Sequence, residues 1–591
     1  MKMSNRVSIR KIENRGVLQK INEIIWNFNY DILFTIVIIA LLLYRISIHA
    51  DIYDEIINLN VAYRISQGDL PFYQCWEAFQ NGDLFLSPFL WLYVKVIGST
   101  GGIVLFSRFV YFVILCGLGL IMYVTTSPLI GKRNAYYIGL LCPLFQLYGL
   151  YYLWYDTSST ILLTAGLFIM YYAITYQKGK IKYLCLFLSG MCHALMAFSY
   201  PSLLFAAILQ WCMLLYYEFR NTNRKTAIYS LVYYTLGAAF ILLLFLLYIL
   251  FIIQVDHFIT GLNIILSYRG ISAGEGSGII SSIVLSYINV NQFLIVPSLI
   301  AIYLFIKSIK NKKFIPFFLL VILISPFINQ YMLKEQFQGL ANYTGYLALW
   351  APFLYYLLDV KYKTTKISNL LLLVWLTCMF SSFCITLTTV QGNVGPIKCW
   401  QSFFPAFIVS LIMINFLLCE RKRNYFSKQY FLPLIKIISF IMLFHFYHYI
   451  YLKQPYIRMS DSRMGSGIYK GIKVNSEMAN YEQVQQLFKR YITPEMETVL
   501  ASGNLRAIYL MTDLRAFSPS VETPDYLLDG KVEWDMSIKY FELFKDLPDI
   551  MVLQSTDLQN EEIVKIIQDH YTMTYDGFIS SIEIKIYTKH N

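Results

Sequence analysis

The sequence predicts an α-helical polytopic membrane protein with about thirteen transmembrane helices and a C-terminal extracytoplasmic α/β domain. Three observations carry that prediction. Hydrophobic residues make up 57% of the 591-residue chain and charged residues only 14%, whereas a soluble domain holds about 45–50% and about 25%. Apolar runs of about 17–25 residues, long enough to cross a bilayer, recur along residues 31–454. Beyond residue 455 the charge density rises, and short β-like runs alternate with helical ones.

In chain order, residues 1–30 form a basic, cytoplasmic N-terminus. The first apolar run is long and lacks a small-residue cleavage site, so it reads as a retained span and not a signal peptide. The spans lie near 31–49, 103–125, 135–152, 159–176, 183–198, 201–217, 228–253, 291–306, 315–333, 343–358, 367–388, 403–419 and 432–451. With the N-terminus inside, the inner loops carry Lys132 and Arg133, Lys178 to Lys182, Arg220 to Lys225, Lys307 to Lys313, Lys361 to Lys366, and Arg421 to Lys428. The outer loops are nearly bare, with Arg64, Lys95, Arg269, Lys334 and Lys398 scattered among them. This asymmetry follows the positive-inside rule and predicts a multi-pass protein of the plasma membrane.

The net charge of +12 is therefore topological. The cations sit at helix ends facing lipid headgroups and form no basic face, which excludes nucleic acid as a partner and leaves the lipid bilayer. A Tyr count of 49 suits interfacial aromatic belts. Most of the 10 cysteines fall inside apolar runs, where they pack as small hydrophobes. Only Cys75 and Cys399 fall in outer segments and are open to a disulfide.

Three outer segments stand apart. Residues 50–100 form the first outer loop, where Ile56, Leu59, Val61, Ala62 and Ile65 follow helical spacing, as in a helix lying along the membrane surface. Residues 254–290 are Gly- and Ser-rich around Gly270 to Gly278 and read as a mobile outer loop. Residues 455–591 form the α/β domain, with strands expected at 471–474, 507–511, 550–553 and 582–587 and helices at 482–491, 537–545 and 561–570.

Asp51, Asp54 and Glu55 come directly after the first span. Asp51 suits a helix N-cap, with Asp54 and Glu55 in the first turn. Three acids at a membrane boundary also suit chemistry. Asp54 or Glu55 can take a proton from a hydroxyl nucleophile as general base, and neighbouring carboxylates can ligate Mg²⁺ or Mn²⁺ with phosphate oxygens completing the shell.

Together with the preceding span and the LFSRF that follows at 105–109, the segment YDEIINLNVAYRISQGDLPFYQCWEAFQNGDLFLSPFLWLYVKVIG at 53–98 resembles the first outer loop of the GT-C-fold glycosyltransferases. That family includes the protein O-mannosyltransferases and the aminoarabinose transferases. The resemblance rests on the Asp-Glu pair opening the loop, the step at Gly68, Pro71 and Phe72, and the Pro-led apolar run ending at Gly98. It implies a polyprenyl-phosphate sugar as donor, a glycan, lipid or protein acceptor on the outer face, and inversion at the anomeric carbon in cell-surface glycan assembly. Asp54 matches the family's first-loop acid and becomes the base, with Glu55 assisting and Asp51 in support. For a second acid this loop offers Glu77 and Asp83, neither in the family's common Asp-x-x-x-x-Pro-Pro setting. Any Mg²⁺ or Mn²⁺ would fall to Asp54 or Glu55.

A phosphate leaving group needs cationic partners. Arg269 and Lys334 are the candidates, with Arg64 and Lys398 behind them. Arg108, inside a span, fits a structural ion pair as well as a catalytic role. Asp156 reads as a helix-end charge in water before it reads as a cavity-lining acid. His49 precedes the acid cluster, where it can tune it or simply end a helix. No zinc or Walker spacing is present. Two other classes share the span count. A lipid-linked glycan polymerase, ligase or flippase would centre on outer-loop arginines and need no acids after the first span. A secondary transporter would show paired halves with discontinuous helices, and neither is visible.

Overall fold

The computed structural model describes residues 30–49, 54–77, 80–145, 151–272, 292–333, 339–388, 399–420, 431–448, 462–474, 483–502, 505–521, 527–528, 531–532, 534–579 and 582–590. The chain opens with α1 (30–46). The loop region follows with α2 (Asp54–Ser66), α3 (Gln80–Asp83) and α4 (Ser87–Ile97). Then come α5 (Ile103–Ile130), α6 (Lys132–Leu140), α7 (Tyr155–Tyr176), α8 (Gly179–Ser199), α9 (Leu204–Asn221), α10 (Arg224–Tyr248) and α11 (Val255–Ser272). Further helices include Ile295–Lys310, Ile315–Leu333, Gly339–Leu349, Trp400–Glu420 and Phe431–His448.

Among the described residues six helices are long and apolar enough to cross a membrane: Ile103–Ile130, Tyr155–Tyr176, Gly179–Ser199, Pro201–Asn221, Arg224–Ile253 and Thr365–Ile385. Leu236, Phe240, Leu243 and Phe251 lie exposed along the fifth of these, as lipid-facing side chains do. The α8 and α10 backbones touch: a Cβ on Gly190 would meet the Tyr234 carbonyl oxygen at 2.0 Å, and one on Gly237 would meet that of Phe187 at 2.0 Å. Small residues at such a crossing gain packing where lipid offers no hydrophobic drive.

Two expected spans are interrupted. In the run at 135–152 the helix α6 ends at Leu140, because Pro143 disfavours continuation and the chain turns through Leu141 to Phe145. The run at 343–358 breaks at Trp350 and restarts with Pro352 in the first turn of Ala351–Leu357. Within 367–388 a π-turn at Leu371–Trp375 displaces the helical ladder, and the Gln210 amide donates to the Leu373 carbonyl at 2.7 Å.

The tail contains β1 (Ser462–Arg463), β2 (Lys473–Val474), β3 (Thr498–Ala501), β4 (Arg515–Ala516), β5 (Leu527–Leu528), β6 (Lys531–Val532), β7 (Ile550–Leu553), β8 (Tyr571–Ile579) and β9 (Ile582–Lys589). A five-stranded sheet runs β4-β3-β7-β9-β8, parallel across β4, β3 and β7 and antiparallel beyond. The segment expected as a strand at 507–511 is instead a helical turn, Ile508–Met511, buried on all sides. A short apolar run without alternation fits either state, and tertiary burial chose the helix. Strands β1, β3, β4, β5, β6 and β8 were not anticipated.

The helix expected to lie along the membrane surface is enclosed. Every residue of α2 from Glu55 to Arg64 is buried. Ile56, Leu59, Ala62 and Tyr63 join the bundle core. Ile57 and Val61 join a second cluster with Val499, Ile508 and Ile550 of the tail, each such burial being favourable by about 1.5–3 kcal/mol. The tail supplies the partner for the face that was assigned to lipid and water.

Candidate active site

The corner between α1 and α2 is held by Arg108 of α5. Its Nε and Nη2 donate to Glu55 Oε1 and Oε2 at 2.6 and 2.5 Å, and its Nη1 donates to the carbonyls of Ile46 and His49, each at 2.8 Å. Both side chains are buried. A bidentate, buried pair of this kind fixes geometry. Of the two roles open to Arg108, the ion pair is the one observed. Glu55, expected to assist the base or ligate a metal, has its carboxylate engaged by Arg108. Asp54, one residue earlier, opens α2 and is half-buried, and its backbone carbonyl accepts from Asn58 Nδ2 at 2.6 Å.

His49 sits in the left-handed region at φ 63° and donates its N–H to the Lys473 carbonyl at 2.7 Å.

On α3, Gly82 lies against the start of α7, where an added Cβ would meet Tyr155 Cα at 2.3 Å. Asp83 and Asp156 flank this contact on adjoining backbones. Their exposures are 1% and 0%. Asp156 is therefore not a helix-end charge in water. It lies in the first turn of α7, where backbone N–H groups favour an anion, and the Trp154 N–H donates to Thr157 Oγ1 at 2.9 Å in the same turn. Since α3 packs on both α2 and α7, the structure brings Asp54, Asp83 and Asp156 to three adjoining elements at the end of the bundle that carries the tail.

The remaining candidates separate. Glu77 is buried and accepts from Ser520 Oγ at 2.6 Å and from the Val521 N–H. Arg64 donates Nε to Asp69 at 2.8 Å and Nη2 to the Gln74 carbonyl at 2.8 Å, which makes it a strut inside the loop. Asp51, Lys334 and Lys398 lie outside the described residues, as do residues 273–290 of the Gly- and Ser-rich segment; the part before them, expected as a mobile loop, is instead the helix α11. Arg269 lies in the last turn of α11. Cys75 and Cys399 are buried thiols, and Cys399 Sγ donates to the Ser382 carbonyl at 3.2 Å. Among the described residues no group of three or more His, Cys, Asp and Glu side chains is placed to hold a metal ion. Glu55, with both carboxylate oxygens engaged by Arg108, does not fit as a metal ligand.

Neither a protein-family profile nor a curated protein sequence matches the chain. Solved structures do. The oligosaccharyltransferase of Archaeoglobus fulgidus, in complex with Zn and sulfate, aligns at 12% identity over 93% of this chain and 72% of that one, with a TM-score of 0.46. The AglB oligosaccharyltransferase of the same organism, with an inhibitory peptide and a dolichol-phosphate, aligns at 10% identity over 95% and 74%, with a TM-score of 0.44. ArnT from Cupriavidus metallidurans, in the apo state, aligns at 9% identity over 95% and 97%, with a TM-score of 0.42. All three are GT-C-fold membrane glycosyltransferases, the family that the first-loop residues resemble.

Asp156 is the acid that sequence reasoning set aside. A signal was present: the polar run Asp156 to Thr160 heads an apolar span, and all five side chains are buried. Solvated caps do not need that many buried polar neighbours.

Proposed function

We propose that the chain is an inverting glycosyltransferase of the plasma membrane, moving a sugar from a polyprenyl-phosphate donor to a glycan, lipid or protein acceptor on the outer face. The N-terminus would be cytoplasmic and the tail, residues 455–591, extracytoplasmic. The observation that supports this reading best is the placement of Asp83 and Asp156, both buried, where α3 packs between the helix that begins at Asp54 and the start of α7. Buried acids at the mouth of a membrane bundle are costly and suit a cationic transition state.

Asp54, the least enclosed of the three, is the base. It takes the proton of an acceptor hydroxyl as the oxygen attacks the anomeric carbon and the bond to the phosphate oxygen breaks. Asp83 and Asp156 favour the positive charge developing on the sugar ring. Arg269 or Lys334 would meet the departing phosphate. Glu55 and Glu77 hold the loop. No step is routed through a metal. The test is the product's anomeric configuration, read by NMR after transfer from a synthetic donor: inversion is expected, and retention would contradict single displacement.

A further inference from the structure

We propose that the tail is a positioning element of the acid site, acting through Glu77 on the loop that carries Asp83. This deepens the glycosyltransferase reading and rests on it. The segment from Arg515 to Val521 grips residues 69–77 at successive points. Arg515 Nη2 donates to Asp69 Oδ1 at 2.9 Å, opposite the Arg64 bond to Oδ2. The Trp76 N–H donates to the Pro519 carbonyl at 2.7 Å. Glu77 Oε1 accepts from both Ser520 Oγ and the Val521 N–H. Tyr540 completes the enclosure, donating to the Gln74 carbonyl at 3.2 Å with its ring edge-on to Trp76 at 5.2 Å.

The grip passes directly to α3. The Gln80 N–H donates to the Glu77 carbonyl at 3.4 Å, and Gln80 Oε1 accepts from the Phe72 N–H at 3.2 Å, so α3 starts from the clamped segment. Three residues later Asp83 sits beside the Gly82 contact with α7. The tail, Glu77, α3 and the start of α7 at Tyr155 thus form one continuous run of contacts. Glu77 reaches the site through α3 and is a positioning residue.

The experiment compares Glu77→Ala, Glu77→Gln and Ser520→Ala in the full-length protein, measuring kcat, KM for a polyprenyl-phosphate sugar, and amide exchange of residues 80–97. Glu77→Ala is expected to lower kcat roughly ten- to hundredfold with KM nearly unchanged, since misplaced groups lose rate more than binding. Glu77→Gln should restore most of it, because an amide oxygen accepts both bonds. Ser520→Ala, which removes one of the two bonds to Glu77 at a buried position and leaves the Val521 N–H in place, should lower kcat by a smaller factor. Exchange in α3 should rise about tenfold in Glu77→Ala while α7 stays protected. A Gln variant as inactive as Ala would make Glu77 a proton-transfer acid and overturn the proposal, and so would unchanged kcat or unchanged exchange in Glu77→Ala. Exchange is read whether or not a donor is consumed. A wild type that consumes none counts against the parent reading, separately from the clamp.

Discussion

Asp54→Asn is expected to lower turnover by about 10²–10⁴-fold while donor affinity stays within a few fold, the range that removal of a positioned general base produces. The amide keeps the size and hydrogen bonding of the carboxylate, and at the N-terminus of α2 it remains an acceptable helix-start residue. What it loses is the capacity to accept a proton. Asp83→Asn and Asp156→Asn remove buried negative charge and should also lower kcat, without the same loss of pH dependence. A base shows itself in the acidic limb of the pH–rate profile. That limb should vanish in Asp54→Asn alone, and its persistence would move the base to another acid.

Arg108→Ala is expected to destabilise the protein by about 3–5 kcal/mol, because it strands the Glu55 carboxylate in a dry site. Glu55 is 1% exposed, and Arg108 also holds three backbone carbonyls at and just after the end of α1, those of Ile46, Ile48 and His49. Arg108→Lys should rescue little, since an ammonium cannot reproduce the planar fork that meets both carboxylate oxygens and the carbonyls. The double variant Arg108→Met with Glu55→Gln should lose less than Arg108→Ala alone, because no unpaired charge remains. Denaturant or thermal unfolding in detergent reads all three. A loss below about 1 kcal/mol in Arg108→Ala would mean that water reaches the pair.

The bundle was legible because apolar runs and alternating basic loops are local signals that lipid and membrane potential enforce. What escaped the sequence was decided across long separations. The outward face of α2 meets Ile508 and Ile550 of the tail, so its amphipathic pattern did not mean a lipid surface. The Glu55 partner lies 53 residues away and that of Glu77 more than 440, and no spacing rule reaches so far. Asp156 was hidden differently: an acid in a first helical turn has a sufficient local explanation as a cap, and its burial in the fold shows it to be enclosed. Of the two candidates for a second acid, the sequence could not separate Glu77 from Asp83. Their neighbours do, one held by the tail and the other against α7.

The most direct test of the central claim is sugar release by the purified wild-type protein from a panel of synthetic polyprenyl-phosphate sugars, with nucleotide sugars alongside. At least one lipid-linked donor is expected to be consumed, with one polyprenyl phosphate freed for each sugar transferred and the nucleotide sugars left intact. No lipid-linked donor consumed across the panel, while lipid-linked glycan is still bound or moved across a bilayer, would contradict it and favour a polymerase or flippase in which the acids hold the fold.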